Sequence, residues 1–218
     1  AGGGTRLKKV TDDPKCMLPI GKKTIIQRQL HLLEKVYCVP KLVLGYQYNK
    51  VLKHVGHKDF IINPLWRQTN TLVSLLFALA DLPVDSLVIN GDVVFGEELL
   101  EKLLSCDYGA CAVQELSEPT DEEVKVDVKE NRVLSIGKQC GYNIEAVGVY
   151  LFRKPLLKAV VRAVRYFENP FNLYYEDAIN AVLQTGQHPL EIVHVGKEAV
   201  EIDTPEDYER AKEIYANS

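Results

Sequence analysis

The strongest constraint on the fold is the alternation of strand-like and helix-like segments through the first half of the chain. Behind Thr24, a residue type that caps helices, apolar residues recur at helical spacing from Ile25 to Val36. The segments that follow alternate in the same way: a strand over 41–47, a helix over 49–55, a strand over 59–63, a helix over 70–80 and a strand over 86–90. A β-α-β-α series of this kind favours parallel strands.

The second half departs from this alternation and predicts a β-hairpin. Val124, Val126 and Val128 alternate with charged residues before a Glu130-Asn131 turn. The remaining predicted elements are a strand over 145–152, helices over 156–167 and 174–184, strands over 191–195 and 199–202, and a final helix. We therefore predict an α/β fold, namely a doubly wound, mostly parallel (mixed) Rossmann-like sheet with helices on both faces and a β-hairpin insertion.

Composition bounds the class of protein. With 218 residues and 46% hydrophobic content, the chain is predicted to form a single domain over 1–218. Its net charge of -4 argues against a broad basic surface for nucleic acid. No apolar run approaches the roughly 18 residues of a membrane span, so we expect no membrane partner and a cytoplasmic location. Five cysteines without a CxxC pair indicate neither a disulfide framework nor a zinc site.

The chain opens on a glycine loop that is suited to an anion. Glycines let the backbone approach a ligand closely, and Arg6 and Lys15 add positive charge where a triphosphate would lie. The loop residues are Gly2, Gly3, Gly4 and Thr5. Neither a Walker loop nor a dinucleotide fingerprint fits this spacing, and the glycine run alone is equally typical of a plain turn. Because such loops normally follow a buried strand, we expect a first strand upstream of Ala1.

Two aspartates are predicted to lie at the same edge of the sheet. Asp92 follows the apolar strand over 86–90, and Asp203 ends the strand over 199–202. Open α/β sheets bind ligands beyond the carboxyl ends of their strands. Thr204 and Asp207 have the spacing of a capping box, which would hold Asp203 on rigid backbone. Carboxylates beside a triphosphate are what Mg²⁺ prefers, so Asp92 and Asp203 are the predicted metal ligands.

Three segments, in order along the chain, resemble the nucleoside-diphosphate-sugar pyrophosphorylase superfamily. They are Gly-Gly-Gly-Thr-Arg-Leu with Pro14-Lys15 after it, Val88-Ile89-Asn90-Gly91-Asp92, and Glu201-Ile202-Asp203-Thr204-Pro205-Glu206-Asp207. The resemblance implies that the glycine loop wraps the nucleotide phosphates and that Lys15 contacts them.

Within that superfamily, the segment 63–75 resembles the phosphocholine and phosphonate cytidylyltransferase branch. Asn63, Asn70 and Ser74 match that branch, which implies that Asn70 and Ser74 help to hold the nucleotide and which favours cytidine. One departure is that Asn90 stands where the phosphocholine enzymes carry an acid, and this weakens choline phosphate as the acceptor.

Further segments resemble those that this branch places around the acceptor. The residues implied are Lys125, Glu145, Tyr175, Glu176 and Asp177. Tyrosines beside acids would suit a cationic amine. Aromatic residues at a helix start are equally typical of core contacts, acids there also favour the helix dipole, and Lys125 is equally typical of a solvated strand face.

Together these observations predict a Mg²⁺-dependent nucleotidyltransferase. It would join CMP from CTP to a small phosphorylated acceptor, such as choline phosphate or a phosphonate, and release pyrophosphate. Two alternatives stay open at this point: a sugar-1-phosphate or inositol-phosphate nucleotidyltransferase, and a non-catalytic nucleotide-binding regulatory module. The missing fingerprint disfavours a nicotinamide oxidoreductase. The sequence leaves open whether the protein forms a homodimer or is fused to a partner domain.

Overall fold

The computed structural model of the chain describes residues 7, 10–56, 59–79, 84–117, 120–121, 123–141 and 143–216. Within them the α-helices are α1 Ile25–Lys35, α2 Tyr48–Val55, α3 Thr71–Ala78, α4 Glu97–Leu104, α5 Lys154–Ala163, α6 Tyr175–Leu183 and α7 Pro205–Ile214. The strands are β1 Pro19–Ile20, β2 Lys23–Thr24, β3 Leu42–Leu44, β4 Phe60–Ile62, β5 Ser86–Ile89, β6 Val93–Val94, β7 Gly109–Glu115, β8 Lys125–Lys129, β9 Arg132–Gly137, β10 Ile144–Phe152, β11 Leu190–His194 and β12 Val200–Glu201.

The main sheet has six strands in the order β5-β10-β7-β11-β9-β8. Strand β10 runs antiparallel to both β5 and β7, whereas β11 runs parallel to β7. Strand β8 also meets β10 at the pair Lys125 and Glu145, so part of the sheet closes on itself. Three smaller pairs lie outside this sheet, namely β1 with β2, β3 with β4, and β6 with β12.

The sheet is mixed α/β as predicted, but the prediction of mostly parallel strands in a doubly wound sheet is wrong for the described residues. In the six-stranded sheet, β7 and β11 form the parallel pair and the other described pairings are antiparallel. The β-α-β-α series of the first half yields the parallel pair β3 and β4, which lies outside that sheet. The second half supplies most of the sheet, and its hairpin and the long strand β10 reverse the chain direction.

Helices cover both faces of the sheet, as predicted. Alternate residues of β10 point to opposite faces, because the side chains of a strand have a period of two. Ala146, Tyr150 and Phe152 join the core under α5 and α6. Val147, Val149 and Leu151 join a second core with residues of α4. Strand β10 is therefore buried on both sides and organises the domain.

Local sequence signals place most elements correctly. Thr24 precedes α1 and forms a capping box with Gln27, as its residue type indicates. The predicted hairpin is present as β8 and β9, with Glu130 and Asn131 at φ 50° and 64° in the turn. Those positive φ values are typical of the two-residue turns that join hairpin strands. Helix α4 and strand β7 lie between the predicted segments and were not predicted.

A bulge in β10 places Gly148 against the end of β5. The register of β10 with β7 shifts between Ala146 and Tyr150, and Gly148 in that interval has φ +71°. The Asn90 amide N–H donates to the Gly148 carbonyl over 2.8 Å. A Cβ atom at Gly148 would lie 2.6 Å from Asn90 Nδ2. Glycine is needed here for its conformation and for the close approach of Asn90.

We expect Gly148→Ala to lower the free energy of unfolding by about 2–4 kcal/mol, since it adds strain at positive φ and a clash with Asn90. Chemical denaturation measures the change. The matched control is Gly96→Ala, because Gly96 has no positive φ and a Cβ there meets nothing within 4 Å. Equal losses in the two variants would contradict this explanation.

Candidate active site

Two short strands bring the predicted aspartates together. Asp92 lies in the turn between β5 and β6, and Asp203 follows β12. Strands β6 and β12 pair antiparallel, with Val93 opposite Glu201. The Ile202 amide donates to the Asp92 carbonyl over 3.0 Å. Residues 111 positions apart in the sequence are thereby fixed as neighbours through the backbone.

Lys15 lies between the two carboxylates. Its Nζ atom is 3.1 Å from Asp92 Oδ2 and also contacts Asp203 Oδ1. The lysine begins a 3-10 turn, Lys15–Met17, behind Pro14. Burial disfavours its charge, but the fields and hydrogen bonds of Asp92 and Asp203 outweigh burial and raise the pKa of Lys15. The structure thus joins three of the residues that the sequence analysis selected.

The backbone around Asp203 is fixed by the capping box predicted from the sequence. Thr204 Oγ1 accepts from the Asp207 amide over 3.2 Å, and Asp207 Oδ2 accepts from the Thr204 amide over 2.9 Å. The Asp203 amide donates to the same Asp207 oxygen over 3.2 Å. Helix α7 therefore begins immediately behind Asp203 and limits its movement.

The sequence analysis missed one further carboxylate, Glu201. Burial raises the pKa of Glu201 well above its usual range, and the neighbouring charges of Asp92 and Asp203 raise it further. Its position two residues before Asp203 in an extended segment was an available signal, since side chains two apart share one face of a strand. Glu201 therefore adds to the site a carboxyl group that favours its uncharged form beside the two aspartates.

The turn that carries Asp92 is held from several sides. Gln29 of α1 is buried, and its Nε2 atom donates to the carbonyls of Asn90 and Val93 over 2.8 Å each. The hydroxyl of Tyr175 donates to Asn90 Oδ1 over 2.9 Å. Asn90 was noted in the sequence as part of the resembling segment 88–92 and as a departure from the phosphocholine enzymes. Gln29 was missed because a single glutamine on an amphipathic helix matches no motif.

The predicted nucleotide-binding residues Asn70 and Ser74 lie around helix α3. Asn70 precedes α3, and its Nδ2 donates to the Asn172 carbonyl over 2.8 Å. Ser74 Oγ accepts from Asn63 Nδ2 over 3.2 Å. Asn63 is fully buried and also bonds the Leu65 amide. These contacts order the loop over 63–70 in front of α3.

Lys125 and Glu145 lie opposite each other where β8 meets β10. Glu145 Oε1 accepts from Gln114 Nε2. Burial raises the pKa of Glu145 despite that hydrogen bond. The Lys125 side chain is 12% exposed, with Nζ 4.0 Å from Asp121 Oδ1. Glu145 lies close enough to Glu201 to raise its pKa as well, so this strand junction borders the aspartate pair.

The three predicted acceptor residues at the start of α6 face different surroundings. Tyr175 reaches Asn90, beside the Asp92 turn. Glu176 is 3% exposed and accepts from the Tyr150 hydroxyl over 2.9 Å, inside the main core. Asp177 Oδ2 accepts from the Tyr174 amide over 2.8 Å and caps the helix. Of the three, Tyr175 is the one that contacts the Asp92 turn, and its side chain is buried in the main core as well, at 3% exposed.

The predicted phosphate-binding residues Gly2, Gly3, Gly4, Thr5 and Arg6 lie outside the described residues. Among the residues that are described, no helix is long and apolar enough to cross a membrane.

Comparison with known proteins identifies the family of the chain. The fold is the mixed α/β fold of nucleotidyltransferases. Residues 1–190 match the model of the MobA-like NTP transferase domain, so the chain belongs to that family of nucleotidyltransferases.

Curated relatives divide into two kinds. The bifunctional protein GlmU of Methanococcus aeolicus is 28% identical over 163 residues, which cover 72% of this chain and 39% of that protein. The CTP:phosphoglutamine cytidylyltransferase of Campylobacter jejuni is 24% identical over 218 residues, covering 84% of this chain and 86% of that protein. The chain spans less than half of the length of the GlmU relatives that it matches.

Two solved structures share the fold over nearly the whole chain. The CTP:phosphocholine cytidylyltransferase from Streptococcus pneumoniae has a TM-score of 0.79 at 19% identity, with 98% of this chain and 95% of that chain covered. The inositol-1-phosphate CTP transferase from T. maritima has a TM-score of 0.78 at 22% identity, with 100% and 94% covered.

The buried Glu176 predicts a pH-dependent stability. Burial raises its pKa to about 7, against hydrogen bonds from its own backbone and from the Tyr150 hydroxyl. Above the ordinary Glu176 pKa of 4.5, the unfolded chain releases the proton that the folded protein still holds. The free energy of unfolding therefore falls as the pH rises from about 5 to about 7, by up to about 1.4 kcal/mol per pH unit. We expect Glu176→Gln to flatten this slope in denaturation curves measured across that window.

The matched control is Glu34→Gln, since Glu34 is an exposed carboxylate on α1. Its slope should equal that of the unmodified protein. A Glu176→Gln variant that keeps the full slope would show that another group titrates.

Proposed function

We propose that this protein transfers CMP from CTP to the phosphate of a small phosphorylated acceptor and releases pyrophosphate. The observation that carries the proposal is the contact of Lys15 with both Asp92 and Asp203. Membership in a nucleotidyltransferase family supports this class of reaction. The nucleotide and the acceptor are the finer parts of the proposal.

The aspartate pair suits a magnesium ion bound together with the triphosphate. Both carboxylates reach one nitrogen atom, Lys15 Nζ, so they lie close enough to share a cation. Within the described residues, no group of three or more His, Cys, Asp or Glu side chains has the arrangement of a metal site. Mg²⁺ commonly takes one or two carboxylates and completes its shell with water and substrate phosphates, so Asp92 and Asp203 suffice. When bound, the ion would neutralise charge on the phosphates.

In the chemical step, the main task of the protein is to position the two substrates. A phosphate oxygen of the acceptor attacks the α-phosphorus, a new P–O bond forms, and the bond to pyrophosphate breaks. A phosphate monoester has its second pKa near 6, so the attacking oxygen is already ionised at neutral pH and needs no general base. Lys15, together with Arg6 as the sequence predicts, would hold the two anions together in this step.

Two considerations support CTP and a small acceptor. CTP occurs in the names of one relative found by sequence, the phosphoglutamine enzyme, and of two found by structure, the phosphocholine and inositol-1-phosphate enzymes. Lys125 and Glu145, where β8 meets β10, and Tyr175, beside the Asp92 turn, would lie on the acceptor side of the site, whereas Glu176 and Asp177 hold α6. Asn70 and Ser74 would order the loop beside the nucleotide.

A second candidate is a sugar-1-phosphate nucleotidyltransferase. The similarity to GlmU favours it, and the site around Lys15 would serve either acceptor. A non-catalytic nucleotide-binding module is less well supported, because nucleotide binding alone does not require a lysine between two aspartates.

The test is pyrophosphate release by the purified protein with Mg²⁺. Each of CTP, UTP, ATP, GTP and dTTP is combined with choline phosphate, aminoethylphosphonate, inositol 1-phosphate, a phosphorylated amino acid amide and hexose 1-phosphates. Release that requires CTP and a non-sugar acceptor supports the proposal. Release with UTP or dTTP and a hexose 1-phosphate establishes the second candidate. CTP binding without consumption of any acceptor would favour the binding module.

We expect Asp92→Asn and Asp203→Asn each to reduce turnover at least about 100-fold, because one metal ligand loses its charge at unchanged size. Thermal unfolding should show that both variants remain folded. Asp107→Asn, at an exposed aspartate, is the control and should keep full turnover. An active Asp92→Asn/Asp203→Asn double variant would refute the metal role.

Lys15→Met should make the protein more responsive to Mg²⁺. Without the ammonium group the two carboxylates repel each other, so the variant melts lower than the unmodified protein in the absence of metal. A bound cation relieves that repulsion, so saturating Mg²⁺ should raise its Tm by about 2 °C or more beyond the rise in the unmodified protein. The control is Lys35→Met, which removes an exposed pair with Glu97. Equal Mg²⁺ responses in Lys15→Met and the unmodified protein would contradict a shared cation site.

A further inference from the structure

Gln29 is a buried polar residue on α1 that reaches the turn carrying Asp92. It is 8% exposed, and the other buried residues of α1 are Ile25 and Ile26. A buried amide is costly unless its hydrogen bonds are made, and an apolar side chain would pack at this position without that cost. The hydrogen bonds that Gln29 makes therefore explain why a polar residue is buried at this position.

Those hydrogen bonds span the turn. One amide group, Gln29 Nε2, donates to the carbonyl of Asn90 and to the carbonyl of Val93, over 2.8 Å each. The two carbonyls flank Gly91 and Asp92. The direct backbone bond across the turn, from the Val93 amide to the Asn90 carbonyl, is long at 3.4 Å. Gln29 thus supplies the shorter bonds that keep the two ends of the turn at a fixed separation.

Other contacts hold the turn at single points. The Asn90 amide donates to Gly148, the Tyr175 hydroxyl donates to Asn90 Oδ1, and the Ile202 amide donates to the Asp92 carbonyl. Each of these fixes one residue relative to a neighbouring element. Among the described contacts, those of Gln29 reach residues on both sides of Asp92 from one side chain, so they bear on the direction in which the Asp92 carboxylate points.

We propose that Gln29 is a positioning residue that sets the Asp92 carboxylate for the metal ion and acts through the backbone of the turn. The inference rests on the proposed function, since it takes Asp92 as a metal ligand. In this role Gln29 would contact neither the substrate nor the ion, because its amide nitrogen donates to two backbone carbonyls. Residues that orient a metal ligand commonly change metal affinity or activity by 10- to 100-fold when they are replaced.

The test compares binding with and without metal, using Mn²⁺ in place of Mg²⁺. Isothermal titration measures the affinity of the protein for CTP with Mn²⁺ and for CTP in the presence of a chelator. In Gln29→Met, which keeps the length of the side chain and removes both donors, we expect CTP binding with Mn²⁺ to weaken about tenfold and metal-free binding to change by less than about twofold. The Mn²⁺ concentration that gives half-maximal turnover should rise in parallel.

The matched control is Leu33→Ala on the same helix. Leu33 packs against the core that contains residues of α4, so this change destabilises α1 but leaves both hydrogen bonds of Gln29 to the turn in place. Leu33→Ala should lower the Tm while leaving the ratio of the two CTP affinities unchanged.

The outcomes separate the two proposals. If the unmodified protein releases pyrophosphate and Gln29→Met keeps the unmodified affinity ratio, the positioning role is wrong and the function stands. Equal weakening of both CTP affinities in Gln29→Met would indicate a merely structural role and would also overturn the inference. If the unmodified protein transfers no nucleotide but binds CTP with Mn²⁺, the affinity ratio still decides the role of Gln29. If it shows no metal-dependent binding of CTP, the inference fails together with the metal role of Asp92.

Discussion

Two carboxylates held side by side repel each other, and the contact of Lys15 with Asp92 and Asp203 is what makes their proximity tolerable. Several neighbouring elements hold the two aspartates in this position. The pairing of β6 with β12 sets the separation of the two residues, and the capping box of α7 fixes one of them from behind. Asp203 is the residue that the capping box fixes, and Asp92 is fixed by the contacts of the turn between β5 and β6. Lys15 is thus the counter-ion of the site, and it comes from a part of the chain far from either aspartate.

The sequence predicted local structure well because helix and hairpin signals are local. Thr24 and the Glu130-Asn131 turn were identified from residue type and spacing alone, and the structure contains both features. Strand direction was predicted less well, because it depends on which distant strand becomes the neighbour. Strand β7, Gly109–Glu115, was missed since it is buried on both faces and its small residues show no alternation.

The site shows the same division. Lys15, Asp92 and Asp203 belong to ordered motifs and were selected together, and the structure places them in contact. Glu176 was selected with Tyr175 because their segment resembles one that the cytidylyltransferase branch places around the acceptor, yet only burial distinguishes a core acid from an acid that faces a ligand. Gln29 carries no motif at all. Its importance follows from two carbonyl groups about 60 residues away in the sequence, which no local pattern reveals.

The hairpin of β8 and β9 has a consequence for how proteins with this architecture diversify. It meets the long strand β10 at one residue pair, Lys125 and Glu145, while the aspartates are held by separate strands and by α7. Exposed hairpin residues, such as Lys129, Arg132 and Leu134, can therefore be exchanged without disturbing the groups that would bind the metal ion and the triphosphate, whereas the buried Val126, Val133 and Ile136 belong to the main core. Under the proposed function, recognition of the acceptor and nucleotidyl transfer can evolve separately, so that one catalytic centre serves many different small molecules.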